Sequence, residues 1–278
     1  MSTADTTATI TMPELTTTPF PSNGQLLVEE NEELVKASVA AVRADLDKTP
    51  AWSRAPTPTD DFLLMFLRSE MFCPEKAAGR YRKFWEVKVT VCGEDEAHLP
   101  IKAQSATQAL KTQFIQLVPA SKDVEGRQVV FLDVGNKDKS LCKHERIRAV
   151  WYVLLAALED VETQRRGVCF VVSLKKAKLS RLDPKFDRLM MDSIQGTLPV
   201  RVGSINLCYP PSFFRVVWAI MSKIITKRVQ DRIRLVPGTD QEVGAKLSNL
   251  VNPVDLPPPM GPKALDISSW LAQRERPE

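Results

Sequence analysis

The chain has 278 residues, of which 44% are hydrophobic and 26% charged, a composition typical of a globular protein with a sizeable core. Its longest apolar run ends at Leu158 and falls far short of the roughly 20 residues that a membrane-spanning helix needs, and the N-terminus lacks a basic start with an apolar stretch. The sequence therefore predicts neither secretion nor a transmembrane span. Five widely spaced cysteines without a C-x-x-C pair indicate reduced thiols in a cytoplasmic protein, which we expect to be a monomer.

The net charge of +4 is unevenly distributed along the chain. Residues 1–35 contain six acidic side chains and no lysine or arginine, so the remaining residues carry a net charge of +10. A net positive charge of this size on residues 36–278 requires an anionic partner or many counterions.

The first part of the chain divides into a tail and a helical lobe. Residues 1–24 are rich in Thr and Pro and predict a disordered tail, because such a composition buries too little apolar surface. Residues 25–95 predict an all-helical N-terminal lobe, since apolar residues recur at helical spacing over 26–46, 61–72 and 74–88.

Residues 96–278 predict an α/β domain with a mostly parallel sheet. A short helix over 103–113 and an edge strand over 114–118 precede three buried strands at 129–132, 168–172 and 199–207. One long amphipathic helix over 144–165, which Gly167 ends, and a second over 183–195 connect these strands. A strand, a helix and a strand in this order form a right-handed parallel crossover.

The stretch 198–238 joins the third strand to an apolar helix over 212–225 and then to a predicted basic helix. From Arg201 to Arg234 the chain carries seven basic residues and one acidic residue. Two interpretations are open. The apolar helix is either a core helix followed by a solvated cationic helix, or a lid over an apolar cavity beside a surface that meets anionic lipid head groups.

Signs of catalysis, metal binding and nucleic-acid binding are weak. The two histidines lie far apart, and no G-x-S-x-G, G-x-G-x-x-G or P-loop string occurs. Asp133 ends a strand without a paired base, so we interpret it as a turn or helix-cap residue. We predict no enzyme activity, no metal site, no cofactor and no nucleic-acid partner.

Several motifs appear in a fixed order. They are Asp61-Phe62-Leu63-Leu64 with Phe66-Leu67-Arg68, the turn over 123–130, and Pro199, Arg201, Ile205, Pro211 and Phe214 in one spaced pattern. Together they resemble, from about residue 61 to 261, the CRAL-TRIO family of tocopherol-transfer, retinaldehyde-binding and yeast phosphatidylinositol-transfer proteins. The resemblance implies an α/β cage in which a lipid lies between the sheet and a movable gate helix, here 212–225.

The resemblance and the apolar pattern together give the predicted ligand-contacting and gate residues, which are Phe131, Phe170, Val172, Tyr209, Phe213, Phe214, Val217, Trp218, Ile220, Met221, Ile224 and Ile225. The predicted head-group residues are Arg201, Lys223, Lys227, Arg228 and Arg232. In the tocopherol-transfer branch basic residues bind phosphoinositide head groups, but Glu70 and Gly203 stand here where that branch has Arg. Val200 replaces the acidic residue typical of phosphatidylinositol-transfer members, which argues against inositol-lipid transfer.

We therefore expect a peripheral membrane protein that binds one hydrophobic lipid ligand and exchanges it at anionic membranes containing phosphatidylserine or phosphoinositide. The alternative is a membrane-recruitment or scaffold module that does not transfer lipid and uses only its basic face.

Overall fold

The computed structural model describes residues 27–263 and 265–274. The predicted disordered tail at 1–24 therefore lies outside the described residues. No helix in the described part of the chain is long and apolar enough to cross a membrane.

One five-stranded sheet has the spatial order β1-β2-β3-β4-β5. The strands are β1 Ile115–Lys122, β2 Gln128–Asp133, β3 Val168–Ser173, β4 Val202–Cys208 and β5 Ile233–Val236. β1 runs antiparallel to β2, and the other three pairs are parallel. The predicted α/β class with a mostly parallel sheet and a preceding helical region is confirmed.

Eleven α-helices surround the sheet within the described residues. They are α1 Glu32–Lys48, α2 Asp60–Ser69, α3 Pro74–Cys92, α4 Thr107–Lys111, α5 Lys143–Ala157, α6 Val161–Arg166, α7 Pro184–Gly196, α8 Phe214–Met221, α9 Lys227–Gln230, α10 Asp240–Leu247 and α11 Ile267–Arg274. α5 and α6 connect β2 to β3, α7 connects β3 to β4, and α8 and α9 connect β4 to β5.

The single helix predicted over 144–165 is wrong, because the chain breaks between α5 and α6. Asp160 caps α6 by accepting a hydrogen bond from the backbone N–H of Thr163 at 2.9 Å. A short acidic side chain competes in this way with helix continuation. Gly167 ends α6 as predicted, with φ of 89°, and a Cβ there would lie 2.9 Å from the carbonyl oxygen of Arg201.

The predicted basic helix is also wrong. Only Lys227–Gln230 is helical, and Ile233–Val236 forms the edge strand β5 beside β4. Ile233 and Leu235 are buried on one face of the sheet, and Arg234 between them is only half-buried. This alternation has the two-residue period of a β-strand. The apolar helix is shorter than predicted, since α8 covers only Phe214–Met221.

Two apolar clusters lie on opposite faces of the sheet. The larger one joins the sheet to α1, α2 and α3; Phe84 of α3 stacks on Trp151 of α5 with ring centroids 5.2 Å apart. The guanidinium of Arg80 in α3 donates hydrogen bonds to the carbonyl oxygen of Ile194 in the last turn of α7 and to those of Leu198 and Val200 in the segment before β4. The helical lobe and the sheet thus share one core, and the boundary at residue 95 stays a prediction.

Candidate functional site

An apolar cavity of about 200 Å³ lies between the sheet, α7 and α8. From β3 and β4, Phe170, Val172, Ile205 and Leu207 face it together, because Phe170 pairs with Ile205 and Val172 with Leu207 in register. The opposite wall comes from helices. It consists of Met190, Met191 and Ile194 of α7 with Phe214, Val217, Trp218 and Met221 of α8.

Eight of the twelve predicted ligand-contacting residues line this cavity. They are Phe170, Val172, Phe213, Phe214, Val217, Trp218, Met221 and Ile225. Ile224 is half-buried away from the cavity lining, and Ile220 is 42% exposed.

The structure corrects the prediction for Phe131 and Tyr209. Phe131 is fully buried in the smaller cluster on the opposite face of the sheet, beside Val129 and Val171. Tyr209 packs against that same cluster. Neighbouring residues of a strand point to opposite faces of the sheet. Leu132, the residue after Phe131, therefore faces the cavity.

α8 is apolar on both its inner and its outer side. Inside, Phe214 stacks on Trp218 with ring centroids 6.1 Å apart. Outside, Val216 and Ile220 lie four residues apart and are 55% and 42% exposed. α8 therefore combines a buried apolar side, which faces the cavity, with an exposed apolar pair on its other side.

Basic side chains follow α8 directly. Lys223, Lys227 and Arg228 are exposed, and the Lys227 ammonium lies 2.7 Å from Asp231 in a surface ion pair that contributes little. Lys223 and Arg228 have no hydrogen bond or ion pair from their side chains to any described residue.

Arg201, Arg228 and Arg232 form what we call the arginine cluster. Burial, and then the charges of Arg228 and Arg232, lower the pKa of Arg201 to about 10. Burial and then Arg228 lower the pKa of Arg232. Glu70, where the tocopherol-transfer branch has Arg, forms an ion pair with Arg80. Burial therefore makes the positive charges of Arg201 and Arg232 costly, and an anion beside the cluster would lower that cost.

The sequence matches the family model for the CRAL/TRIO domain over residues 113–261, more than half of the chain. The chain belongs to the CRAL/TRIO family. The resemblance seen in the sequence is therefore confirmed. CRAL/TRIO is a family of lipid-binding and lipid-transfer domains rather than of enzymes.

Curated CRAL/TRIO relatives include clavesin-1 of Xenopus laevis, 24% identical over 258 residues, which cover 89% of this chain and 74% of that protein. Human clavesin-2 is 25% identical over 258 residues, 88% of this chain and 75% of its own. Human tyrosine-protein phosphatase non-receptor type 9 is 24% identical over 131 residues, and the matched part spans only 21% of the phosphatase. The crystal structure of Sfh5 has a TM-score of 0.49 and 10% identity, covering 75% of this chain and 82% of that one.

Asp133 serves in this CRAL/TRIO chain as a helix cap. Its carboxylate accepts a hydrogen bond from the backbone N–H of Gly135 at 2.8 Å, at the start of a short 3-10 helix. The interpretation of Asp133 as a cap residue is confirmed.

A second cavity, of about 400 Å³, contains a feature that the sequence did not indicate. The Glu30 carboxylate accepts hydrogen bonds from Arg68 of α2 at 2.9 and 2.7 Å and from Arg165 of α6, twice at 3.0 Å. Burial would raise the pKa of Glu30, but these hydrogen bonds outweigh burial and lower it to about 2. Arg201 also lines this cavity, and its buried Nε has no partner among the described residues. Glu30 thus connects the helical lobe to the sheet domain of the CRAL/TRIO fold.

Proposed function

We propose that the chain holds one hydrophobic lipid in the cavity behind α8 and exchanges it at anionic membranes when α8 swings away from the sheet. The observation that carries the proposal is the apolar cavity closed by a helix that is apolar on its outer side as well. In this scheme the protein acts as a monomer at the cytoplasmic surface of a membrane.

The energetics of exchange support a helix with two apolar sides. Burial in the cavity stabilises a ligand by roughly 25 cal/mol per Å² of apolar area, and a bilayer offers the same burial. Moving the lipid between the cavity and the bilayer then changes the free energy little. The barrier to this transfer is the free-energy cost of exposing the apolar cavity wall to water when α8 opens. If Val216, Ile220 and the inner residues Phe214 and Trp218 enter the bilayer together, the membrane binds the open form better and shifts the equilibrium towards it.

The basic residues support an anionic membrane as the partner. Lys223, just after α8, and Arg228, in α9, are exposed, and their side chains have no hydrogen bond or ion pair with the residues that the structure describes. Each lysine or arginine close to an anionic surface contributes up to about 1 kcal/mol. The membrane-recruitment alternative uses the same residues but needs no occupied cavity.

Organic extraction of the purified chain followed by mass spectrometry separates these two functions. A lipid bound at about one molecule per chain is expected for a carrier. Repeated preparations with no bound lipid and no lipid uptake from vesicles would contradict the carrier function and favour recruitment.

The outer side of α8 gives the test of exchange. The double variant Val216→Ser and Ile220→Ser should keep the stability of the fold, because both side chains are exposed, and should slow lipid transfer between vesicles. Val124→Ser and Val254→Ser form a matched control, since these side chains are 68% and 61% exposed away from α8. Equal transfer rates for both double variants would refute the role of α8.

A further inference from the structure

One buried ion pair interrupts the apolar wall of the cavity behind α8. The Lys137 ammonium lies 2.8 Å from Oδ1 of Asp187, and the two side chains are only 8% and 9% exposed. Both residues line the cavity. Lys178, the other charged residue of the lining, is exposed.

The position of the pair follows from the fold. Lys137 follows the short 3-10 helix that comes after β2, and Asp187 lies in the first turn of α7, the helix that returns antiparallel to β3 and β4. Both therefore stand beyond the carboxyl ends of the parallel strands, where α/β sheets usually bind ligands.

The pair has hydrogen-bonding capacity that the described residues leave unused. An ammonium has three donors, and a carboxylate accepts about four hydrogen bonds. Lys137 donates to Asp187, and its ammonium lies 5.3 Å from the ring centroid of Phe186. Asp187 accepts from Lys137 and, at 3.3 Å, from the backbone N–H of Asp183. At least one donor and one acceptor are left over.

The charges around the pair are already balanced. Arg146 pairs with Asp183 at 2.9 Å, and its guanidinium lies 4.3 Å from the centroid of the same Phe186 ring. The two ion pairs therefore balance each other's charge at this end of the cavity, and the remaining cation of the lining, Lys178, is exposed to solvent. A carboxylate or phosphate would add a negative charge beside Asp187, and an amine would add a positive charge beside Lys137, in surroundings where an unbalanced charge is costly.

We propose that Lys137 and Asp187 form a polar subsite, inside the cavity, for the uncharged hydroxyl group of a lipid alcohol. The hydroxyl accepts a hydrogen bond from the Lys137 ammonium and donates one to the Asp187 carboxylate. A hydroxyl satisfies both partners at once because it is both a donor and an acceptor. The long-chain or isoprenoid tail then occupies the apolar space between the sheet and α8. This inference rests on the proposed carrier function and adds the chemical class of its ligand.

The test compares three probes that share one chain and differ at the polar end: 1-hexadecanol, its methyl ether and hexadecanoic acid. The full chain is incubated with neutral phosphatidylcholine vesicles containing one probe, separated by gel filtration and analysed by mass spectrometry. Uptake of the alcohol should exceed uptake of the ether by about 10- to 100-fold, since only the alcohol donates to a charged carboxylate. Uptake of the acid at pH 7 should also fall below that of the alcohol.

The double variant Lys137→Met and Asp187→Leu removes the subsite without leaving a lone buried charge, so it is expected to fold, as circular dichroism can check. It should take up the alcohol and the ether equally. The matched control is Lys175→Met with Asp240→Leu, an ion pair of the same residue types at 2.6 Å that is exposed outside the cavity and should leave the preference intact.

The possible results distinguish a failure of the hydroxyl subsite from a failure of the proposed carrier function. If the unmodified chain takes up none of the probes, the carrier function fails and the subsite fails with it. If it takes up all three equally, or prefers the acid, only the subsite is wrong. A preference for the alcohol that survives in the double variant also overturns the assignment, because another part of the cavity then recognises the hydroxyl. If the cavity double variant does not fold, the isosteric Asp187→Asn replaces it, because this change removes the charged acceptor on which the preference for the alcohol over the ether depends. An unchanged preference in that variant overturns the assignment equally.

Discussion

Replacing Glu30 by alanine should destabilise the fold far more than a change at its exposed neighbour Glu29. The Glu30 side chain is 8% exposed and receives paired hydrogen bonds from both Arg68 and Arg165. Glu29 is exposed and forms no ion pair with any described residue. The two positions therefore give a matched comparison within one short segment.

The magnitude follows from what each arginine loses. Arg68 is 9% exposed and would keep only its hydrogen bond to Gln164, at 2.5 Å. Removal of one partner from a buried ion pair costs about 3–5 kcal/mol. Arg165 is 38% exposed and keeps Glu162 at 3.0 Å, so its share is about 0–1 kcal/mol. We expect a loss of about 3–5 kcal/mol for Glu30→Ala and about 0.5 kcal/mol or less for Glu29→Ala.

Urea unfolding followed by circular dichroism measures both values, and its pH dependence gives a second check. The pKa of Glu30 is about 2 in the fold, against an ordinary value of 4.5. A depressed carboxyl pKa stabilises the fold fully above the ordinary value, and this contribution is lost as the pH falls towards the folded value. The difference between the unmodified chain and Glu30→Ala should therefore be constant near pH 7 and shrink between pH 4.5 and 2. Equal urea midpoints for the two alanine variants at pH 7 would refute the connecting role of Glu30.

The remaining predictions concern the membrane face, the cavity wall and the thiols. Lys223→Glu with Arg228→Glu should reduce binding to phosphatidylserine vesicles in a sedimentation assay and leave the circular dichroism unchanged, because both side chains are exposed and pair with none of the described residues. Trp218→Ala should lower the rate of vesicle-to-vesicle lipid transfer with less than about 2 kcal/mol lost in urea unfolding, whereas a loss of about 3–5 kcal/mol with unchanged transfer would indicate a close-packed core site. In a thiol titration of the native chain Cys142 should react first: it is exposed, and hydrogen bonds from backbone N–H groups lower its pKa. Cys169 should react only on unfolding, since burial raises its pKa to about 12.

Much of the fold could be predicted because its signals are local. The apolar runs of β2 and β3 have the composition of strands covered on both faces, and the helices between them show an apolar period. β5 was missed because Arg232 and Arg234 flank its buried residues, so the basic composition hid a two-residue period of only four positions. Phe131 was misplaced because an unbroken apolar strand gives no sign of which alternate residues face a cavity.

The side-chain pairs that give the site its chemistry depend on tertiary structure. Glu30 and Arg165 are 135 positions apart, and Lys137 and Asp187 are 50 positions apart. Each of these residues also has an ordinary surface role in a sequence, as a helix-dipole charge or a solvated side chain. Only the arrangement of α2, α6 and α7 around the sheet brings the partners together, so sequence patterns could not predict them.

The distribution of contacts also determines which element can separate from the cage at least cost. α7 has 13 residues, and the Asp183 side chain caps it. α8 has only eight residues and no side-chain cap, and such short helices depend on packing for their stability. Val216 and Ile220 on its outer side are exposed, so the contacts that opening would break lie mainly on its inner side. In the segment between α8 and α9, the Gln195 side chain donates a hydrogen bond to the carbonyl of Ile224 and accepts one from the N–H of Thr226. The lobe and the sheet meanwhile stay joined through Arg80 and Glu30. In the exchange mechanism that we propose, α8 would pivot about Gln195, and the cavity would open while the sheet and the lobe stay in place.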